Sequence, residues 1–328
     1  MYAMVLAEPG GLLQWTERPD RSPGIGQVRV AVAACGVCRT DLHVIDGELP
    51  HIPVPIIPGH EIVGRIDAIG TGVSGLQIGE RVGIPWLGQT CGVCPFCLAH
   101  RENLCNAPVF TGYTRDGGFA TATIADARFV YPLGERGSDE SLAPMLCAGL
   151  IGWRALAIAG EEAKTLGLYG FGASAHIVAQ VARFQHRMVF AFTKPGDRAK
   201  QAFATSLGVH WAGGSDEMPP EPLDAAIIFA PAGELVPLAL AAVRKGGRVV
   251  CAGIHMSDIP SFRYQLLWEE RQLVSVANLT RQDGIDFLRV LPEMGIVTKT
   301  TRYRLRDANQ ALSDLRAGRF EGAAVLIP

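Results

Sequence analysis

The strongest constraint on the fold lies between about residues 150 and 280. Short apolar runs recur there at 165–169, 188–192, 225–229, 248–252 and 273–277, with helix-length segments such as 174–185 and 198–207 between most of them. Apolar runs of that length, punctuated by helices, read as βαβ units in a parallel sheet covered on both faces. Residues 1–150 follow a different rhythm. There 27–34 alternates and then turns wholly apolar, and 61–69 is a second strand-like run between glycines. The tail holds helical pieces at 284–291 and 307–317 and a last strand at 323–327. An α/β fold follows, with a doubly wound parallel sheet beside a β-rich part. The 328 residues suit two domains.

Composition removes several functions. Thirty Lys+Arg against 32 Asp+Glu leave a formal charge of −2, so no basic field exists to hold nucleic acid. Hydrophobic residues make up 48% and charged ones 19%, which favours buried cores over disorder. The charge-free stretches 82–100 and 165–182 are broken by Pro85 and Pro95, and by Gly167, Gly170 and Gly172, so neither is expected to span a membrane. Residues 1–8 show no basic start leading into an apolar run, and a cytoplasmic protein is the expectation. Thiols stay reduced in that compartment, which turns the eight cysteines towards metal binding or catalysis rather than disulfides.

The first run of the βαβ series leads into Gly170-Phe171-Gly172-Ala173-Ser174-Ala175, a G-x-G-x-x-A turn. Gly170 permits the tight turn, Gly172 lets a pyrophosphate approach the backbone, and the third position, Ala175, needs a small residue for helix–strand packing. The helix that Ala173 opens offers free N–H groups to phosphate. Such a turn between a strand and a helix predicts a dinucleotide site. NAD-binding folds place Asp or Glu at the end of the second strand to bind the adenosine ribose. Thr193 stands there instead, with Lys194 and Arg198 nearby, and two cations suit a 2′-phosphate, so the expectation leans to NADP within NAD(P).

Between Ile84 and Tyr113 the chain shows little periodicity, and so long a loop needs an internal staple. Cys91, Cys94, Cys97 and Cys105 supply four thiols within it, at a spacing that predicts a closed, structural tetrahedral zinc. Similar runs also hold iron–sulfur clusters, which is the competing reading. Cys38, His60 and Cys147 would form a three-ligand zinc centre open to substrate, although their spacing alone does not assemble one.

These motifs resemble those of the zinc-dependent medium-chain alcohol dehydrogenases: GVCRTDLH at 36–43, the GHE box at 59–61, the four-cysteine loop, MLCAG at 145–149 and GFGASA at 170–175. The resemblance runs nearly end to end. It implies a GroES-like catalytic domain from 1–149 and 281–328, with a Rossmann domain, 150–280, inserted. It makes Cys38, His60 and Cys147 the catalytic zinc ligands, with Glu61 behind the metal and Asp41 orienting the histidine. Thr40 and His43 match a proton relay, and Arg39 matches an arginine on the cofactor pyrophosphate. Two zincs per chain and a small alcohol or aldehyde substrate follow, and an exposed sheet edge in the Rossmann domain would favour a homo-oligomer. Leu49, Trp86 and Tyr113 lie on segments that wall the substrate pocket in relatives. Cys35 and Cys251 match no site.

Two departures stand out. Thr193 replaces the acidic residue, and Gly322-Ala323-Ala324 carries no arginine where many relatives have one. A polyol dehydrogenase of the same superfamily is an alternative, disfavoured by Cys147 and the complete cysteine loop. A zinc-stabilised NADPH-binding protein without turnover is another, and it would need neither Thr40 nor His43.

Overall fold

The computed structural model describes all 328 residues, and they separate into two units. The first comprises Met1–Cys147, Asn278–Pro292 and Val297–Pro328; the second comprises Ala148–Ala277 and Glu293–Ile296.

The second unit holds six parallel strands. In spatial order they are Trp211–Gly214, Met188–Thr193, Thr165–Tyr169, Leu223–Ile228, Val243–Cys251 and Gln272–Ser275. Numbered along the chain this is 3-2-1-4-5-6, the doubly wound dinucleotide-binding order, whose direction of winding reverses beside the first strand. Thr165–Tyr169 is buried throughout, as a central strand covered on both faces must be. Five of the six strands coincide with the apolar runs, within a few residues. The sixth, Trp211–Gly214, lacks such a run because two of its four residues are glycine. A helix that the periodicity also left unmarked, Ala148–Ala159, lies so close to Ala173–Phe184 that a Cβ on Gly152 would come 2.0 Å from Val178.

In the first unit a seven-stranded sheet runs Thr300–Arg304, Ala323–Ile327, Gln27–Val37, Glu61–Ile69, Arg81–Ile84, Tyr131–Pro132, with Ala122–Asp126 also paired to Gln27–Val37. Gln27–Val37 alternates in burial for eight residues and is then buried on both faces through Val37. The strand thus continues three residues beyond the sequence expectation and delivers Cys38 at its end. Below it packs a core that includes Val28, Val30, Ile62, Ile66, Phe119 and Leu326.

Candidate metal and dinucleotide sites

Cys38 ends the strand and caps the helix Arg39–Ile45. Its Sγ accepts the Thr40 N–H at 3.3 Å, while the Asp41 carboxylate returns to accept the Cys38 N–H at 2.8 Å. This reciprocal cap satisfies two backbone donors that a helix start leaves open. Asp41 also accepts the Gly59 N–H at 3.2 Å, so one buried carboxylate joins the two motif segments.

His60 is fully buried, with Nε2 3.2 Å from Cys38 Sγ and Nδ1 3.3 Å from Asp41 Oδ1. The Nδ1–carboxylate approach is within charge-pairing range but off the line of a good hydrogen bond. Cys147, just after the turn Ala143–Leu146, brings its Sγ to 4.0 Å from that of Cys38. One ligand atom each from Cys38, His60, Glu61 and Cys147 lies within 4.8 Å of the others. A tetrahedral zinc with Zn–S of about 2.3 Å and Zn–N of about 2.0 Å has S···S and S···N edges of roughly 3.8 and 3.5 Å. The observed edges fit that geometry.

Without metal the electrostatics are those of a poised ligand set. The hydrogen bond from Cys147 pulls the Cys38 thiol well below its ordinary range, and the His60 charge adds to this. Burial works against the His60 cation, yet the Cys38 thiolate and Asp41 carboxylate outweigh it and raise that pKa. Burial pushes the Glu61 carboxyl well up, and the Cys38 charge pushes it further. Glu61 leans over Gly36, where a Cβ would come 1.8 Å from its Oε2; no larger residue leaves the carboxylate in place.

The four-cysteine lobe is built locally. Cys91 Sγ lies 3.9 Å from Cys97 Sγ and 3.5 Å from Cys105 Sγ, again close to tetrahedral edges. Backbone donors face the sulfurs: the Cys91 and Ala107 N–H groups reach Cys105 Sγ at 3.3 and 3.4 Å. N–H groups of Asn106 and Cys97 lower Cys94 to about 6, whereas burial first of all raises Cys97 to about 11. Glu102, which the sequence reading did not single out, ties the lobe down. Its carboxylate accepts from Arg281 backbone N at 2.7 Å and Nε at 2.9 Å, with Nη2 at 2.8 Å, and the guanidinium lies 5.3 Å from the Phe129 ring.

Around the Cys38 centre, Thr40 is half-buried and Arg39 exposed. The His43 Nδ1 hydrogen-bonds the Glu48 carboxylate. Trp86 sets its edge against His60 at 4.8 Å and stacks on Tyr113 and on Phe110, at 5.6 and 5.2 Å between centroids. Tyr113 donates its hydroxyl to the Pro50 carbonyl, and Leu49 packs half-buried on the same core. Phe110, flanked in sequence by no motif, is the aromatic that the sequence reading missed.

In the second unit, Gly170 has φ +88° and leaves no room for a side chain, since a Cβ would come 2.8 Å from Ala230. Gly172 caps the helix Ala173–Phe184 with open space where a side chain would stand, and Ala175 is fully buried. A bare helix start of this kind is a cradle that a pyrophosphate fits and a Cβ would fill. Thr193 is buried, and its hydroxyl is engaged internally with the carbonyls of Lys194 and Gly213 and with Gln201 Nε2. Lys194 and Arg198 are exposed.

A doubly wound dinucleotide sheet carried with a thiolate–imidazole metal centre defines a class, the metal-assisted dehydrogenases. Residues 24–135 match the family described as the alcohol dehydrogenase GroES-like domain. The chain is 46% identical over 327 residues to a probable alcohol dehydrogenase, AdhA, of Mycobacterium tuberculosis, covering 98% of this chain and 94% of that protein. Among solved structures, the alcohol dehydrogenase of Aeropyrum pernix superimposes with a TM-score of 0.90 at 26% identity, covering 100% of both chains. A cobalt- and zinc-bound alcohol dehydrogenase of Pyrobaculum aerophilum gives 0.90 at 24%, over 100% of this chain and 99% of that one. The chain belongs to the zinc-type medium-chain alcohol dehydrogenase family. No single helix is long and apolar enough to cross a membrane.

Proposed function

We propose that the chain interconverts small primary or secondary alcohols with their aldehydes or ketones, using one zinc at Cys38, His60 and Cys147, a second at Cys91, Cys94, Cys97 and Cys105, and NAD(P). The observation carrying this reading is the convergence of Cys38, His60 and Cys147 beside Glu61, with Asp41 behind His60. Three protein ligands leave a tetrahedral metal one position for substrate, whereas four thiols close a site.

Zinc bound at the open site would supply Lewis acidity towards an alcohol oxygen. Bound nicotinamide would supply the hydride acceptor or donor. The rest is the chain's own work. Asp41 favours the His60 tautomer with hydrogen on Nδ1, which leaves the Nε2 lone pair free. The Thr40 hydroxyl takes the alcohol proton and His43 conducts it outwards, an imidazole being suited to exchange near neutral pH. Gly170, Gly172, Ala173 and Ala175 form the pyrophosphate turn, and Arg39 adds a cation. The stack of Trp86, Phe110 and Tyr113, with Leu49, favours apolar substrates. With the Thr193 hydroxyl engaged and no carboxylate in its place, Lys194 and Arg198 favour the phosphorylated dinucleotide. Gln272–Ser275 at the sheet edge, preceded by exposed Tyr264 and Trp268, supports self-association.

Metal analysis combined with paired NAD and NADP kinetics on ethanol, propanol and benzyl alcohol tests the reading. Two zincs per chain, turnover, and a higher kcat/KM with NADP are expected. Metal without turnover on any alcohol or aldehyde would overturn it. In the relay, Thr40→Ala and His43→Ala should slow turnover with zinc retained.

A further inference from the structure

We infer that Glu48 is a positioning residue for His43, fixing which ring nitrogen carries the hydrogen and which exchanges the relayed proton. The inference rests on the relay role proposed above for His43 and deepens it. The helix Arg39–Ile45 stops at Asp46, whose backbone N–H reaches the Leu42 carbonyl at 2.8 Å. Gly47 then turns the chain back at φ +77°, and the Glu48 N–H donates to the His43 carbonyl at 3.0 Å. This reversal carries the Glu48 side chain over the ring, where its carboxylate meets Nδ1.

Arg316, from the helix Ala308–Ala317, holds the turn in place by gripping Asp46 at 2.8 and 2.9 Å. The His43 side chain is 15% exposed and that of Glu48 46%, so the ring is walled in while the carboxylate keeps a solvent face. An ionised carboxylate can only accept, so the hydrogen resides on Nδ1 and Nε2 keeps its lone pair. When Nε2 takes a proton, the carboxylate already faces the charge that the ring gains, and the ring need not turn. The same division of labour, carboxylate to one nitrogen and proton transfer at the other, orients catalytic imidazoles on unrelated folds.

The test uses the zinc-loaded enzyme with Glu48→Ala, Glu48→Gln and Glu48→Asp, assayed in alcohol oxidation. Glu48→Ala should lower kcat about 10-fold, within the range for lost orienting partners. KM for alcohol and dinucleotide should stay within about 2-fold, and zinc content should not change. Glu48→Asp should recover part of kcat and Glu48→Gln less. In nitrogen-15 spectra of the ring, the Nδ1–H form should dominate in the parent and give way to a mixture in Glu48→Ala. The double variant His43→Ala/Glu48→Ala should be no slower than His43→Ala alone. A parent-like kcat and ring spectrum in Glu48→Ala, with His43→Ala slow, would overturn this inference and leave the relay standing. A parent-like kcat in His43→Ala would remove the relay itself.

Discussion

His60 and His176 are equally buried, both at 0% exposure, yet they are opposites. His60 has a thiol 3.2 Å from Nε2 and a carboxylate 3.3 Å from Nδ1, and their charges raise its pKa despite burial. His176, in the first turns of the helix Ala173–Phe184, has no hydrogen-bond partner on either nitrogen and lies 6.1 Å from the Phe203 ring. Its pKa falls because burial penalises the cation; the nearby Gly172 and Ala173 carbonyls pull the other way without reaching hydrogen-bond geometry. Burial alone therefore does not make a histidine a ligand. The charges placed around it separate a ring suited to donate to a metal from one that serves as packing material.

The largest expected effect comes from breaking the first environment. His60→Ala should cost one equivalent of zinc and lower turnover at least about 10³-fold, because Lewis acidity at the reacting oxygen supplies several kcal/mol. Elemental analysis beside steady-state kinetics reads both. A variant that kept both zincs would remove His60 from the ligand set and end the contrast with His176. Cys97→Ser serves as the control on the other thiol cluster. It should lose the other zinc and melt at lower temperature, while the remaining folded enzyme keeps turnover within a few-fold.

Next comes the clamp that fastens the four-cysteine lobe. Glu102 is 9% exposed and accepts both from the backbone at the start of the helix Arg281–Met294 and from the Arg281 side chain. Severing a buried pair costs about 3–5 kcal/mol, but Arg281 is 43% exposed and solvent screens much of that. Glu102→Ala should thus destabilise by roughly 1–2 kcal/mol in denaturant melts. Its catalytic zinc and kcat should be unchanged. A loss of kcat instead would mean that the lobe supports the Cys38 centre as well as itself.

What was legible in the sequence was what is contiguous there. Cys91 to Cys105 lie within fifteen residues and Gly170 to Ala175 within six, so each candidate could be picked out of one stretch of sequence, the glycine turn with the help of the strand and helix around it. Cys38, His60 and Cys147 are separated by 22 and 87 residues, and only resemblance grouped them before the fold did. The partners that went unread share one physical property: they act across chain reversals or long separations. Glu48 reaches His43 only because Gly47 turns the chain, and Glu102 meets Arg281 across 179 residues. Thr193 shows the converse, since its position could be read but the internal bonds of its hydroxyl could not. The strand Trp211–Gly214 hid behind its glycines: two of its four residues carry no side chain to show a pattern, although Trp211 packs against Phe190 and Phe192 of the neighbouring strand.

The smallest expected effect tests the second environment through pH. A histidine whose folded pKa lies below its unfolded value, near 6.5, is neutral in both states at pH 7.5 and contributes no pH dependence there. Below about pH 6.5 the unfolded chain binds a proton that the folded chain refuses, so stability falls as pH falls and continues to fall down to the folded pKa. His176→Leu keeps the volume, removes the two unpartnered nitrogens and cannot titrate. It should match or exceed the parent in stability at pH 7.5, and its advantage should widen at pH 5.5, read by urea melts at both values. Acid titration of carboxylates such as Asp126 and Asp224, which ion pairs hold below their usual range, is common to both proteins and cancels in the difference. A constant gap between parent and variant across that window would mean that His176 accepts a proton in the folded state. The packing-only half of the comparison would then be false, and a polar partner would have to reach the ring.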